Sequence, residues 1–233
     1  MTDANDTAPP PGRRDARRNR ERLVEAARRT FAEQGLDAPF DVVARRAGVG
    51  NATLYRHFPT RAALVDAVFG DLLAATSAAG ERARSAPDPW EGLVGYLEHV
   101  FAGLAADRGS NDLMTAHLPD SRTLEAVHAH NRRTVELLLA RGREHGSVRP
   151  DLTPEDVLLA LAALGRTVPA LAGAAGPGAW RRPLALLLDG FRASPGHGAL
   201  PSPALRPEQF DAVLHRLGPH RAAPTRPGGP AGT

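Results

Sequence analysis

Residues 40–64 read FDVVARRAGVGNATLYRHFPTRAAL. Phe40, Val43, Ala44 and Ala47 follow an i, i+3, i+4, i+7 stripe, which predicts a short helix with one apolar face. Gly48 then supplies the positive φ that a tight turn demands, and Val49 with Leu54 is expected to seal the wedge between that helix and a second one over residues 51–57. Ala44 is small where the second helix crosses close to it. Thr53, Tyr55 and His57 remain as polar groups facing outward, able to donate to phosphate oxygens or base edges. The pair has the layout of a helix-turn-helix, whose second helix must reach the major groove. The bland alternative is a helical hairpin with a solvated face, and the surrounding basic and polar set argues against it.

Charge supports a nucleic-acid partner. Over residues 13–61 there are twelve arginines against six acids, whereas residues 62–233 hold seventeen arginines against eighteen acids. An excess of that sign next to the turn is the footprint expected for a phosphate-bearing partner, because Arg pairs well with phosphate. The chain has no Lys, so part of its arginine content reflects compositional bias. Arg45 and Arg46 either steer a duplex or solvate the outside of their helix. The cluster Arg13, Arg14, Arg17 and Arg18 reads as an arm toward phosphate or minor groove, or as disordered solvated charge.

The absence of cysteine removes disulfide frameworks, thiolate zinc sites and cysteine nucleophiles. The first thirty residues lack the apolar run of a signal peptide, and the most apolar later segment is interrupted by Arg166 and Pro169, so no membrane partner and a cytoplasmic location are expected. An enzyme finds little support. His128 and His130 are two apart on a helix and point nearly opposite ways, no HExxH pair occurs, and neither a phosphate loop after a strand nor a nucleophile elbow is present. No catalytic residue, metal site or cofactor is assigned. A non-specific DNA-compacting protein would share the basic segment but would not need the large, charge-balanced remainder.

That remainder is helical in pattern. The first helix carries Leu23, Ala27 and Phe31 and ends where Gly35 can take the left-handed cap, followed by Leu36. A helix from Thr60 presents Leu64, Val68, Leu72 and Ala75. Asp88 and Pro89 supply a cap and a first-turn proline to the stripe Trp90, Leu93, Val94, Leu97, Val100, Phe101 and Leu104. Further helices are expected over 111–118, 121–145, 154–171 (opened by a Thr153/Asp156 capping box), 179–192 with Pro183 in its first turn, and 207–217. No segment alternates as a strand. Residues 1–12 and 219–233 lack hydrophobes that could pack and are expected to be disordered tails.

The stretch "FDVVARRAGVGNATLYRHFPTRAALV", preceded by "RERLVEAARRTFAEQG", resembles the N-terminal DNA-binding domain of the TetR family of transcriptional regulators over about residues 17–68. The resemblance implies an all-α fold, with a three-helix helix-turn-helix DNA-binding domain (13–62) joined to a larger helical ligand-binding and dimerisation domain (63–218). It implies a repressor, homodimeric on a palindromic double-stranded DNA operator and released from it by a small-molecule ligand, the alternatives being a DNA-binding regulator with no small-molecule inducer, or an activator. Carried over position by position, the recognition helix is 51–57. Tyr55 and His57 stand where the family contacts the DNA backbone, and Thr53 where a backbone or base contact is usual. Arg61 replaces a phosphate-gripping lysine. Gly50 departs from the serine that commonly caps this helix, leaving the cap weaker or shifting it to Asn51. The DNA-contacting set so expected is Arg45, Arg46, Gly50, Asn51, Ala52, Thr53, Tyr55, Arg56, His57, Thr60 and Arg61.

Two further sets follow from helix faces. Opposite the Trp90–Leu104 stripe, Gly92, Tyr96, His99 and Gly103 cluster with Gly95 beside them. Glycines there cost helix stability and make room for something to approach. This face is expected to line a ligand cavity, with Phe101, Met114 and His117 as neighbours, unless the glycines serve close helix packing. The 154–171 helix is apolar on nearly every side, with Val157, Leu161, Leu164 and Val168 on one stripe. The 179–192 helix adds Leu184, Leu187, Leu188 and Phe191. Pairing both with their copies in a four-helix dimer interface would bury the excess, and complete burial within one subunit is the alternative.

Overall fold

The computed structural model describes residues 11–115 and 120–217. These form eleven helices: α1 (Pro11–Gln34), α2 (Phe40–Ala47), α3 (Asn51–His57), α4 (Arg61–Arg84), α5 (Pro89–Ala106), α6 (Arg108–Thr115), α7 (Arg122–Glu144), α8 (Pro154–Gly165), α9 (Val168–Ala175), α10 (Arg181–Phe191) and α11 (Pro207–Leu217). Among the described residues, extended pairing is confined to an isolated antiparallel bridge between Val148 and Arg192. The fold is all-α.

Most helix starts follow from their caps. The Thr60 hydroxyl accepts from the Ala63 amide, Asp88 from Trp90 and Ser121 from Leu124, while Thr153 and Asp156 form a reciprocal capping box. Each such cap stabilises by about 1 kcal/mol. Three expectations change. α1 reaches back to Pro11, so the arginines at 14, 17 and 18 stand on a helix and not in a disordered arm. α6 begins three residues earlier than expected because Asp107 accepts from the Ser110 amide at 2.8 Å and from its hydroxyl at 3.0 Å. The helix expected over 154–171 is two helices bent by 45°, since Pro169 fits only the first turn of α9 and cannot continue α8.

Two apolar clusters organise the chain. The first gathers Leu23, Phe31, Val43, Leu54, Phe58, Leu64, Phe69 and Leu73 from α1 to α4, and it also takes Leu113, Leu124 and Val127 from α6 and α7. The Phe31 and Phe69 rings stack at 6.2 Å within it. The second holds Trp90, Leu97, Phe101, Val135, Leu138, Leu139, Val157, Val168, Trp180, Leu184 and Leu188. α4 threads both, giving its first half to one and Ala79 and Ala83 to the other. It is long and apolar enough to cross a membrane, but its large apolar side chains from Leu64 to Leu73 pack in the first core.

Polar contacts fasten the clusters together at α6. Asn111 and Asp112 are buried neighbours. Asn111 Nδ2 donates to the carbonyl of Gly165 at the end of α8 (2.7 Å) and to that of Leu104 (3.3 Å). Asp112 Oδ2 accepts from the Leu36 amide at 3.0 Å, in the loop between α1 and α2. Nearby, the Ser121 hydroxyl donates to Asp66 of α4 at 2.6 Å.

Candidate nucleic-acid interface

α2 ends in a left-handed glycine. Gly48 has φ 67° and ψ 36°, the Val49 amide reaches back to the Ala44 carbonyl at 3.0 Å, and the Gly48 amide reaches the Arg45 carbonyl at 3.1 Å. This is the paired 6→1 and 5→2 closure of a Schellman motif. A side chain at 48 would be strained at that φ, and its Cβ would lie 2.7 Å from the Arg22 guanidinium. Directly after the turn, the amides of Thr53 and Leu54 bond the Gly50 carbonyl, and Gly50 has no side chain to cap the helix. α3 is held instead by Leu54 and Phe58, both fully buried, each contributing about 1.5–3 kcal/mol by leaving water.

With those two anchored inward, Asn51, Ala52, Tyr55 and Arg56 are exposed on the other side of α3 and Thr53 is partly so. Tyr55, 53% exposed, leans on Phe40 with ring centroids 5.5 Å apart. Thr60 lies exposed at the end of the following turn, and Gly50 is open, with nothing within 4 Å of a Cβ built on it. Arg45 stays on the outside of α2, loosely paired with Asp41 at 3.7 Å. These groups form one continuous outer face of donors.

Three expected contacts sit differently. Arg46 bends back to α1, its guanidinium 2.7 Å from Glu33 and 3.3 Å from the Thr30 hydroxyl, so it ties α2 to α1. His57 is half-buried and its Nε2 is enclosed without a hydrogen-bond partner, so that nitrogen is not presented outward. Arg61 is half-buried and donates from Nη1 to the carbonyls of Leu36 and Ala38, while its guanidinium covers the Phe40 ring at 5.0 Å. Burial pushes its pKa below the ordinary arginine value, and the charge of Asp37 pushes it back up. Arg61 therefore pins the 35–39 loop, a role that sequence spacing could not reveal because its partners are more than twenty residues away.

The face of α5 expected to line a cavity is mostly helix contact. A Cβ on Gly92 would lie 2.6 Å from the Ala83 carbonyl of α4 and 3.1 Å from Leu138 of α7, so Gly92 admits α4 and leaves no room for a ligand. Tyr96 is buried and its phenol donates to Asn131 of α7 at 2.6 Å. Burial pushes the Tyr96 pKa well up. Burial, helped by Arg82, lowers that of His99. Gly103 is roomier, with Leu72 at 3.8 Å from a built Cβ. Phe101 is core, stacked on Trp180 at 5.8 Å. Met114 falls in α6 and His117 lies outside the described residues. Beside Tyr96, Arg84 of α4 donates to the Thr134 hydroxyl of α7 at 2.9 Å, and the Nε2 of His130, also on α7, is buried without a partner where α7 packs against Gly80 of α4.

Of the residues expected at a dimer interface, Val157, Val168, Leu184, Leu188 and Phe191 are buried inside this subunit. They belong to the second core, where α9 and α10 pack on α5 and α8 packs on α7 and α10. Leu161, Leu164 and Leu187 are only partly covered and pack at its edge. Leu186 of α10 is 67% exposed, and Ala163 of α8 is exposed as well.

Residues 23–68 match the family model described as bacterial regulatory proteins, tetR family, and residues 88–193 match the model of the SbtR-like transcriptional regulator C-terminal domain. The chain is 40% identical over 53 residues to HTH-type transcriptional regulators of Staphylococcus aureus, a match that takes in 22% of this chain and 29% of theirs. Among solved structures it is similar to a TetR transcriptional regulator from Streptomyces coelicolor, at 29% identity, with 75% of this chain and 99% of that one covered and a TM-score of 0.50. A second neighbour, transcriptional regulator FadR of Bacillus subtilis in complex with stearoyl-CoA, has the same fold at 16% identity, with 76% and 99% covered and a TM-score of 0.57.

Proposed function

The chain belongs to the TetR family of transcriptional regulators and binds DNA, and on that footing we propose that it is a homodimeric repressor released from a palindromic operator by a small molecule. The observation that carries the DNA half of this reading is the outer face of α3, where Asn51, Ala52, Tyr55 and Arg56 stand exposed while Leu54 and Phe58 hold the helix from behind. Asn51, Ala52 and Thr53 are the groups for base edges, and Tyr55, Arg56, Arg45 and Thr60 those for phosphates. Two copies of so short a reading helix on one duplex supply the specificity that one lacks, and two-fold symmetry of the protein then requires inverted half-sites. The exposed Leu186 and Ala163, beside the partly covered Leu161, Leu164 and Leu187, are among the apolar groups on α8 and α10 left for a partner copy to cover.

Release by a ligand requires that a change in the second cluster reach α2 and α3. Asn111 and Asp112 are suited to carry it, since one holds the end of α8 and the other holds the 35–39 loop that Arg61 grips from α4. A ligand acts only through its differential affinity for the two arrangements, typically about 1–3 kcal/mol of coupling. The polar row of Arg84, Tyr96, Asn131, Thr134 and His130 offers handles for a mostly apolar molecule.

Selection of duplexes from a random library by the full chain tests the reading. Recovery of one sequence made of two inverted half-sites is expected. Capture of unrelated sequences would leave only a non-specific grip and contradict it.

A further inference from the structure

Arginines frame the recognition helix from behind. The Arg22 guanidinium lies at the turn between α2 and α3, and that of Arg20 covers the Phe58 ring at 4.8 Å, just past the end of α3. α1 thus passes α3 at residues 20–22. From there it runs on to the loop that Asp112 of α6 holds through the Leu36 amide, so residues 11–19 lie on the other side of α3 from α6. At about 1.5 Å per residue, this overhang is roughly 14 Å long.

The overhang is basic and helical. Residues 11–22 carry six arginines against Asp15 and Glu21. Its inner positions, Ala16 and Asn19, are half-buried, whereas Arg14, Arg17 and Arg18 are exposed. Their i, i+3, i+4 spacing sets these three in one row. Arg17 pairs with Glu21 at 3.3 Å, but the two side chains are 83% and 65% exposed, and a pair so exposed holds its partners weakly. The segment also precedes the family-model match, which begins at residue 23.

We propose that Arg14, Arg17 and Arg18 form a second DNA contact, a rigid ridge that lies on the phosphate backbone outside the base pairs read by α3. It rests on the reading of α3 as the DNA-contacting helix. Each guanidinium offers a planar fork matched to phosphate oxygens, and Arg17's one ion pair among the described residues is the exposed one with Glu21. The ridge adds affinity on any flanking sequence and carries no base preference.

The test uses the full chain and the triple variant Arg14→Ala, Arg17→Ala and Arg18→Ala, which keeps good helix formers; far-ultraviolet circular dichroism checks that helicity is retained. Each is titrated at several salt concentrations on two duplexes, the sequence recovered by selection alone and the same sequence lengthened by about one helical turn at each end. Wild type is expected to bind the longer duplex at least about tenfold more tightly, with a salt slope steeper by about 2 to 3 per copy than that of the variant. On the short duplex the two proteins should agree. The triple Lys variant, which keeps the charges, should behave as wild type. Equal slopes for wild type and the alanine variant on the long duplex would overturn the ridge while leaving the α3 reading intact. Failure of wild type to select any common sequence would overturn the α3 reading, and the ridge with it.

Discussion

At Gly48 two demands meet in one residue. The backbone is left-handed, and the Arg22 side chain fills the space a Cβ would need. Only the first was readable from the sequence, because a turn glycine is a local signal while Arg22 comes from another helix. Leu54 was readable for the same local reason, as the residue that closes the wedge. Arg61 was not. A basic residue after a helix-turn-helix looks the same whether it grips phosphate or carbonyl oxygens, and only the placement of the 35–39 loop decides. In this structure it bonds Leu36 and Ala38 and covers Phe40. Arg61→Ala should therefore destabilise the protein by about 1–3 kcal/mol in urea unfolding, since it leaves buried acceptors without their charged donor. Arg61→Lys should recover only part, lacking the planar fork. An unchanged stability together with a salt slope reduced by about one would instead restore Arg61 to the phosphate backbone.

Among the helices, the caps were legible and the partners were not. Thr60, Asp88, Ser121 and Thr153 each announce a start, and Asp107 starts α6 through the Ser110 amide and hydroxyl. The break between α8 and α9 shows how an apolar stripe can hide a proline: Val157, Leu161, Leu164 and Val168 keep their period across it, yet Pro169 fits only a first turn. The glycines of α5 were ambiguous in kind, because a bare helix face suits a cavity and a crossing helix equally. Gly92 meets the Ala83 carbonyl, whereas Gly95 is exposed with nothing within 4 Å. The two should respond oppositely. Gly92→Ala is expected to cost about 1–3 kcal/mol by overpacking. Gly95→Ala should stabilise by about 0.5–1 kcal/mol through helix propensity. Urea unfolding of both variants checks this, and equal effects would mean that α4 does not approach α5 at Gly92.

For the molecule as a whole, a two-part organisation was implied by the resemblance of residues 17–68 to the family's DNA-binding domain, whereas the apolar stripes of the later helices did not say what would cover them. The regular stripes that looked like an interface serve the second core, and Leu186 and Ala163 are among the apolar residues left exposed. The head is not self-contained either, since Leu113, Leu124 and Val127 of α6 and α7 complete its core and Asp112 holds its loop. The proposed release of DNA by a ligand acts through this shared packing. All of this turns on the chain reading DNA through α3 as a symmetric pair, and a hydroxyl-radical footprint of the full chain on its selected duplex measures that most directly. Two protected half-sites related by a two-fold axis, with centres about one helical turn or a multiple of it apart, are expected for wild type, and protection of both half-sites should be lost for Asn51→Ala with Tyr55→Ala. A single protected site, uniform protection along the duplex, or a footprint that survives those α3 substitutions would contradict it.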